Sequence, residues 1–327
     1  LWPIGQPTVH NQDEARIVQS SMSNTNHFDF NAPSLRIWHQ HDMAQHVGKG
    51  KRVGFPIFEL NKFSKNEKHH LSSLDTIIVC SEWAKSIVKS EVNHPDIRVV
   101  PLGVDTSVFF HKISSSKKDT TVFLNVGKWE IRKGHDVLHK AFNRAFTKDD
   151  NVELWMMNHN PFLNSEQEKE WKDTYLKSKL GRKIKMVDRV AQHSEVANIM
   201  SMADVGVFPS RAEGWNLEAL EMMAMGKYVI LTDYSAHTQF ATHINSKLIN
   251  IDNTESAHDG IWFNGQGEWA SFGDSQMEQL ISHMRTLHEC KQNDIKINRD
   301  NKNERGIVTA KKFSWENCAK NITEVFE

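Results

Sequence analysis

Cysteine is scarce in this chain of 327 residues, which contains only Cys80, Cys290 and Cys318. The three lie far apart, so the sequence has neither a CxxC pair nor the even-numbered cysteine framework of a disulfide-rich domain. A reducing compartment fits this usage best. We therefore predict a cytoplasmic protein.

Long apolar runs and an excess of one charge are also missing. The longest apolar stretches have the length of strands, well short of the ~20 residues that a membrane-spanning helix needs, and the N-terminus carries no basic-then-apolar signal pattern. Lys and Arg number 40 against 41 Asp and Glu, which gives a net charge of −1. A nucleic-acid partner would favour a basic excess, so none is predicted. Peripheral contact with a membrane surface stays open.

The sequence does contain short apolar, β-branched runs that alternate with helical patterns, which is typical of βαβ units and parallel sheets. In the first part of the chain we predict strands at 35–39, 52–56, 75–80 and 97–100, with helices at 57–70 and 82–91. The polar stretch HKISSSKKDT at 111–120 has no periodicity and is predicted to link two domains.

A second series of the same kind follows the predicted linker. Strands are predicted at 121–126, 152–157, 183–187, 204–208, 228–232 and 247–251. The helices that separate them, and two that close the chain, are predicted at 135–147, 165–179, 194–202, 217–225, 276–289 and 313–327. The pattern indicates an α/β fold with a doubly wound second domain.

In open α/β sheets, ligands bind beyond the carboxyl ends of the strands, so the loops there are the candidates for function. The loop within VGKWEIRKGHDVL, residues 126–138, places Lys128, Arg132 and Lys133 in one turn, and Gly134 then opens a helix. Cations and free helix N–H groups together can bind a phosphate or diphosphate. The alternative is a solvated basic loop.

A second loop lies within PSRAEGWNLEALEMMAMG, residues 209–226. Gly214 allows the close backbone approach that an anion cradle requires, at the start of a helix with free N–H groups. Glu221, one turn into that helix, can accept hydrogen bonds from the vicinal hydroxyls of a ribose, and Glu213 can reach hydroxyls on the group that the phosphate carries. In the alternative interpretation, Glu213 and Glu218 merely favour the positive helix end, and Glu221 lies at the surface.

In combination, NVGKWEIRKGHDVL and ADVGVFPSRAEGWNLEALEMMAMGKYVILTD make the segment 121–250 resemble the C-terminal domain of retaining GT-B fold glycosyltransferases of family four, the glycosyl transferases group 1. PLGVDTSVF at 101–109 is similar to that family's interdomain hinge, and FSWENCAKN at 313–321 to its last helix. The resemblance implies two Rossmann-like domains that face a cleft. Their bounds would be 1–110 for the acceptor side, 111–312 for the donor side and 313–327 for a helix that crosses back.

The resemblance also implies roles for individual residues. Lys128 and Lys133 would bind the diphosphate of a UDP- or GDP-sugar, Glu213 the transferred hexose and Glu221 the ribose. The family commonly has Arg where Lys128 stands, and Lys keeps the charge but loses the bidentate fork. The remaining predicted donor-side residues are Ser210, Gly214, Trp215, Asn216, Leu217, Thr238 and Gln239.

The first domain matches the family less well. It opens at LWPIGQPTVHNQDEAR without a recognisable first strand, so we expect a reduced or truncated domain in which Gly5 and Gln6 are the remnant of an acceptor loop. His39 and His41 follow a predicted strand and are expected to face the cleft, where one could contact a sugar hydroxyl; a structural histidine is the alternative. Glu59 is expected to line the same cleft. HQHDMAQH has metal-like spacing without a supporting acidic or Cys cluster, so no metal is predicted.

The function predicted from these residues is metal-independent transfer of a hexose, with retention, from a nucleotide-diphosphate sugar to a glycan, lipid or other hydroxyl acceptor, without a further cofactor. A catalytically impaired nucleotide-sugar-binding protein, and another GT-B enzyme such as an epimerase or phosphorylase, are the alternatives. A nicotinamide-dependent oxidoreductase is disfavoured, because GKGKRVG at 48–54 precedes a strand where a dinucleotide fingerprint should follow one.

Overall fold

The computed structural model describes residues 1–327 apart from 6, 8, 10, 112–118 and 294–301. The predicted acceptor-side residue Gln6 and most of the predicted linker lie outside the described residues. Among the described residues, no helix is both long enough and apolar enough to cross a membrane.

The first part of the chain forms a parallel sheet in sequential order, β1-β2-β3-β4. Its helices begin at capped positions: the Ser81 hydroxyl accepts from Ala84 N–H, and Ser64 and Glu67 form a capping box. The elements are α1 (Gln12–Ser23), β1 (Ser34–Trp38), β2 (Arg52–Pro56), α2 (Lys65–Ser72), β3 (Thr76–Val79), α3 (Glu82–Glu91) and β4 (Ile97–Val99).

The second sheet contains six parallel strands in the order β10-β9-β8-β5-β6-β7. The chain runs outward from β5 to β7, then crosses to β8 and runs outward the other way, so the strand order reverses between β5 and β8. The elements are β5 (Thr121–Gly127), α4 (His135–Ala145), β6 (Val152–Asn158), α5 (Ser165–Leu176), β7 (Ile184–Met186), α6 (His193–Met202), β8 (Val205–Phe208), α7 (Leu217–Ala224), β9 (Tyr228–Thr232) and β10 (Lys247–Ile249).

The last part of the chain returns to both sheets. An antiparallel hairpin, β11 (Thr254–His258) and β12 (Asn264–Ala270), is followed by α8 (Asp274–Gln292), α9 (Glu304–Lys312) and α10 (Trp315–Thr323). Val104 N–H donates to Phe313 O at 2.9 Å, and Lys51 Nζ donates to Val325 O at 2.7 Å, so the C-terminal segment contacts the first sheet region.

Residues of both sheet regions share one apolar core, and a second core lies within the second sheet region. One apolar cluster includes Val53 and Ile78 of the first sheet region together with Phe208 and Trp215 of the second, while another fills the space between β5, α4 and α8. The predicted α/β class with parallel sheets is confirmed, and the predicted strands agree with the observed ones to within two residues.

One predicted helix was wrong over most of its length. Residues 57–64 are not helical, and the helix begins only at Lys65. Phe58 and Phe63 are buried core residues, whereas the Ser64 and Glu67 capping box starts the helix where its free N–H groups are satisfied. The helices α1 and α9 and the β11–β12 hairpin were not predicted.

Candidate functional site

The point where the strand order reverses brings two loops together. Lys133, from the loop after β5, lies 2.8 Å through its Nζ from Oε1 of Glu213, in the loop after β8. The Ser210 hydroxyl donates to the same Oε1 at 2.7 Å, and Arg132 Nη1 donates to Oε2 at 3.0 Å. Both carboxylate oxygens of Glu213 are therefore bound, and 4% of the residue is exposed.

This cluster holds its charges in the ionised form. Burial alone would raise the pKa of Glu213, but Lys133 and Arg132 outweigh it and lower that pKa well below its usual range. For Lys133, burial favours a lower pKa, yet Glu213 and Glu218 raise it. The site thus presents an ionised carboxylate beside an ammonium group at the carboxyl edge of the sheet.

The backbones of the two loops are tied to each other. Arg211 N–H donates to Arg132 O at 2.7 Å, and a Cβ added to Gly134, whose φ is +76°, would lie 2.2 Å from Pro209 O. Only glycine combines that left-handed conformation with that close approach. Gly134 therefore sets the spacing between the loop of Lys133 and the loop of Glu213.

A buried histidine holds the loop after β5 in place through hydrogen bonds. His135 is fully buried, its Nδ1 accepts from Glu130 N–H at 3.0 Å, and its Nε2 donates to Asn125 Oδ1 at 2.9 Å. Asn158 Nδ2 donates to the same oxygen at 2.7 Å. Burial, with the nearby Lys133 ammonium, lowers the pKa of His135 to about 3, so the ring is neutral at pH 7.

We expect this histidine to make folding pH-dependent. Because the pKa of His135 is about 3 in the folded chain against an ordinary value of 6.5, the unfolded chain binds the proton more readily, and stability falls as pH drops below 6.5. The part of the loss between pH 7 and pH 5 that comes from His135 should be about 2 kcal/mol, at 1.4 kcal/mol per pKa unit. Urea unfolding at both values would measure it. His135→Gln, which cannot titrate, should lose about 2 kcal/mol less over this range, and an equal loss would contradict the assignment.

The turn after β8 places a helix N-terminus beside the cluster. Asn216, at φ +80°, is the N-cap of α7, and its Oδ1 accepts from Ala219 N–H while its Nδ2 donates to His237 Nε2 at 2.8 Å. His237 Nδ1 donates to Thr232 O at 3.0 Å. The first N–H groups of α7, beginning at Leu217, have no partner within the helix and form a place for an anion.

Glu221 lies one turn into α7 and is partly buried. Burial, and then the neighbouring Glu218, raise the pKa of Glu221 to about 8. The two glutamates of this segment consequently differ in charge at pH 7: Glu213 is ionised, and the free protein holds a proton on Glu221.

The other predicted donor-side residues differ in how exposed they are. Lys128 is exposed, with its Nζ 5.1 Å from the ring centroid of Phe162. Thr238 is exposed, whereas Trp215 is 3% exposed and packs in the core against Phe240 and Phe313.

Gln239 makes a contact that the sequence did not indicate. Its Oε1 accepts from Glu82 N–H at 2.8 Å, at the N-terminus of α3 in the first sheet region. Tyr234, on the same segment, lies with its ring 6.0 Å from that of Trp83. This stretch after β9 therefore joins the two sheet regions.

The first sheet region contributes the opposite wall of the cleft. A Cβ added to Gly214 would lie 2.9 Å from Ile57 Cγ2 and 3.2 Å from Phe58 O, so glycine permits this close approach. His39 contacts Ile57 O through Nδ1 at 3.2 Å, and its ring stacks on that of exposed His41 at 5.6 Å.

Two further predicted acceptor-side residues lie in different surroundings. Glu59 Oε1 is 4.0 Å from Arg132 Nη2, so Glu59 reaches the charged cluster. Gly5 instead lines an apolar groove of about 900 Å³ together with Trp2, Phe28 and Trp38. The part of the chain that the structure describes contains no group of three or more His, Cys, Asp or Glu side chains arranged to hold a metal ion.

Arg132 was predicted only as a loop cation, without a role in the site. His135, Ser235 and His237 were not predicted as site residues, although the Ser235 hydroxyl accepts from Glu213 N–H at 2.9 Å. A histidine directly after the helix-opening Gly134 was the available signal for His135. Nothing in the sequence ties Ser235 or His237 to the turn after β8, because those contacts depend on how β9 follows it.

Comparison with known proteins points to one family. Residues 108–261 match the model of the family described as glycosyl transferases group 1. A GDP-mannose:cellobiosyl-diphosphopolyprenol alpha-mannosyltransferase from Xanthomonas campestris is 24% identical over 186 residues, which are 57% of this chain and 47% of that protein. The chain thus spans about half the length of this curated relative.

Solved structures share the fold. The sucrose-phosphate synthase of Thermosynechococcus elongatus has a TM-score of 0.69 at 16% identity, covering 95% of this chain and 77% of that one. A glycosyltransferase from Rickettsia africae has a TM-score of 0.67 at 14% identity, covering 98% and 83%. The Anabaena protein HepE in complex with UDP and glucose has a TM-score of 0.62 at 16% identity, covering 84% and 71%. The predicted resemblance and the GT-B fold class are confirmed.

Proposed function

We propose that this chain, which carries the glycosyl transferases group 1 match over residues 108–261, transfers a hexose from a UDP- or GDP-sugar to a hydroxyl acceptor with retention of the anomeric configuration. The observation that carries the proposal is the ion pair of Lys133 with Glu213, beside the N-terminus of α7 and at the reversal of strand order. A cation, free helix N–H groups and an ionised carboxylate meet there, which suits a diphosphate that carries a sugar.

Each part of the nucleotide sugar would bind to a different set of residues. Lys133, Lys128 and the backbone N–H groups of residues 214–217 would bind the diphosphate, with Asn216 and Ser210 holding the turn in place. Glu213 would accept from hydroxyls of the hexose, and Glu221 from those of the ribose. Gln239 and Thr238 would shape the edge of this pocket.

The acceptor would enter from the wall formed by the first sheet region, past His39, His41 and Glu59. Its hydroxyl oxygen would form the bond to the anomeric carbon while the bond from that carbon to the diphosphate oxygen breaks. The proton of the hydroxyl would pass to the leaving phosphate on the same face. Lys133 and the helix N–H groups, already oriented, would stabilise the negative charge that develops on the leaving group.

The reaction would take place in a cleft between two domains. The domains would divide at 1–110, 111–312 and 313–327, and closure of the two larger domains onto each other would exclude water from the activated sugar. The reaction would need neither metal nor further cofactor. The acceptor would be a glycan, a lipid or a small molecule, and the protein would act in the cytoplasm, with peripheral contact at a membrane if the acceptor is a lipid.

Thermal unfolding in the presence of UDP, GDP, ADP and NAD tests the proposal directly. A ligand at 100 times its dissociation constant should stabilise the fold by about 2.7 kcal/mol. We expect one nucleoside diphosphate to stabilise the protein and NAD to have no effect. The matching nucleotide sugar should then be turned over only with an acceptor. Turnover without an acceptor would favour an epimerase or hydrolytic activity, consumption of a sugar phosphate would favour a phosphorylase, and binding without turnover would identify a binding protein.

The raised pKa of Glu221 predicts a pH-dependent affinity. Since that pKa is about 8, only a minority of the free protein has an ionised Glu221 at pH 7, whereas ribose hydroxyls donate best to the ionised form. Affinity for UDP or GDP should therefore rise about fivefold from pH 7 to pH 8, from the increase in ionised carboxylate. Calorimetric titrations at both values would measure it. Glu221→Gln cannot titrate, so a rise of the same size in that variant would show that Glu221 does not cause it.

A further inference from the structure

The Arg132 side chain contacts four protein groups in the candidate site. Its Nε lies 3.1 Å from Glu130 Oε2, its Nη1 donates to Ala212 O at 2.8 Å and to Glu213 Oε2 at 3.0 Å, and its Nη2 lies 4.0 Å from Glu59 Oε1. Only 6% of the residue is exposed. The guanidinium group is therefore fixed by partners on several sides, and its contact with Glu213 is on the carboxylate oxygen that Lys133 leaves free.

The charges of the cluster show why this second contact matters. Glu213 is buried and bound on one oxygen by Lys133 and on the other by Arg132. A buried carboxylate that loses its only counter-ion is strongly destabilised. If Glu213 had Lys133 alone, the ammonium group could not move to another anion without leaving the carboxylate uncompensated.

The proposed function requires such a move. In this structure Lys133 Nζ is engaged by Glu213 Oε1 at 2.8 Å, while a nucleotide-sugar diphosphate would compete for the same ammonium group. An ammonium ion is a single compact charge with rotatable donors, so it can be redirected toward a phosphate. Arg132, held by four protein groups, stays in place and keeps Glu213 paired.

We propose that Arg132 is a positioning residue that serves as the permanent counter-ion of Glu213 and thereby releases Lys133 to the donor diphosphate. This inference rests on the proposed function. It assigns the two adjacent cations different tasks: Lys133 binds the ligand, and Arg132 binds only protein groups. Because Glu59 belongs to the first sheet region, Arg132 also links Glu213 to the opposite wall of the cleft.

Calorimetric titration with UDP and with GDP tests the inference, because neither ligand carries the transferred hexose, which is the group proposed to contact Glu213. Arg132→Met should weaken binding of the preferred diphosphate about tenfold, since Lys133 then becomes the sole counter-ion of a buried carboxylate. Removing the charge of Glu213 in the same chain, in R132M/E213Q, should restore the affinity to within about threefold of E213Q, since no carboxylate then holds Lys133.

A matched pair separates this role from a structural one. Glu130 is a second carboxylate in close contact with Arg132, with its Oε2 2.8 Å from Nη2. R132M/E130Q therefore removes an unpaired charge from the same variant without changing Glu213, the partner of Lys133. We expect R132M/E130Q to bind as weakly as R132M. E213Q alone should bind UDP or GDP a few-fold more tightly than the natural chain, and this comparison holds even if R132M does not fold.

The outcomes are distinct. Unchanged affinity in R132M, or equal recovery in both double variants, would overturn the role of Arg132 while leaving the proposed function in place. If R132M does not fold, an E213Q variant that binds UDP or GDP no more tightly than the natural chain would also overturn the role of Arg132. Failure of the natural chain to bind either UDP or GDP would remove the proposed function, and the inference with it.

Discussion

Lys133→Met is expected to lower the turnover of the nucleotide sugar by about 10²–10³-fold, the usual effect of removing one oriented group that stabilises charge in a transition state. Lys133 is the cation closest to Glu213, and it sits where the two loops meet at the reversal of strand order. Methionine keeps much of the length and the apolar stem, so the change mainly removes the ammonium charge. Initial rates of nucleoside diphosphate release, with acceptor present, would measure the effect.

Two further lysines calibrate that result. Lys140→Met removes an exposed lysine from α4 and should leave the rate unchanged. Lys128→Met should cost about tenfold, less than Lys133→Met, because Lys128 is exposed and lies over Phe162, and an exposed charge is screened by water. Rates within threefold of the natural chain for Lys133→Met, or a larger loss for Lys128→Met, would contradict the assignment of the diphosphate to Lys133.

The adjacency of Lys133 and Glu213 was accessible from the sequence because it follows from topology. Both residues lie in loops that follow apolar strands of one predicted parallel sheet, and the carboxyl ends of such strands lie at one edge. The spacing of Glu213 and Glu221 needed only the helical pattern that begins at Leu217. What the sequence could not supply was the difference in protonation between the two glutamates, since that depends on which one receives counter-ions.

Contacts between the two sheet regions were beyond sequence reasoning. The approach of Glu59 to Arg132, and the hydrogen bond from Glu82 N–H to Gln239, join residues whose separation is bridged only by the folded arrangement of both regions. The predicted helix was wrong over residues 57–64 for the same reason. Its apolar residues fit a helical period, yet they are used to fill the core and to contact Gly214 at the cleft.

The contacts between the β11–β12 hairpin and the first sheet region could not be predicted from the sequence pattern either. Gln266 Nε2 donates to Glu67 Oε2 at 2.7 Å, and Glu268 N–H donates to Asn61 Oδ1 at 2.7 Å, so the hairpin binds the first sheet region through polar groups. Its strands carry two glycines, Gly265 and Gly267, and a single β-branched residue, Thr254, which lowers their strand signal. Tertiary hydrogen bonds, rather than local propensity, stabilise this element.

The largest expected effect on stability comes from Gly134→Ala. The new Cβ would meet Pro209 O at 2.2 Å, and φ there is +76°, a conformation that alanine adopts at a cost. Pro209 O is a backbone atom and cannot turn away as a flexible side chain could, so the backbone of one of the two loops must shift. We expect a loss of about 3 kcal/mol or more in the free energy of unfolding, from left-handed strain together with overpacking. Urea denaturation would measure it.

Gly260→Ala is the matched control, because Gly260 has the same φ of +76° with no atom within 4 Å of the added Cβ. It should cost only the conformational strain, about 1 kcal/mol. The difference between the two variants therefore isolates the collision with Pro209. Because Gly134 spaces the loop of Lys133 from the loop of Glu213, Gly134→Ala should also weaken binding of UDP or GDP under conditions where the variant is still folded, whereas Gly260→Ala should not. Equal losses of stability would mean that the two loops can separate freely, which their shared hydrogen bond from Arg211 N–H to Arg132 O opposes.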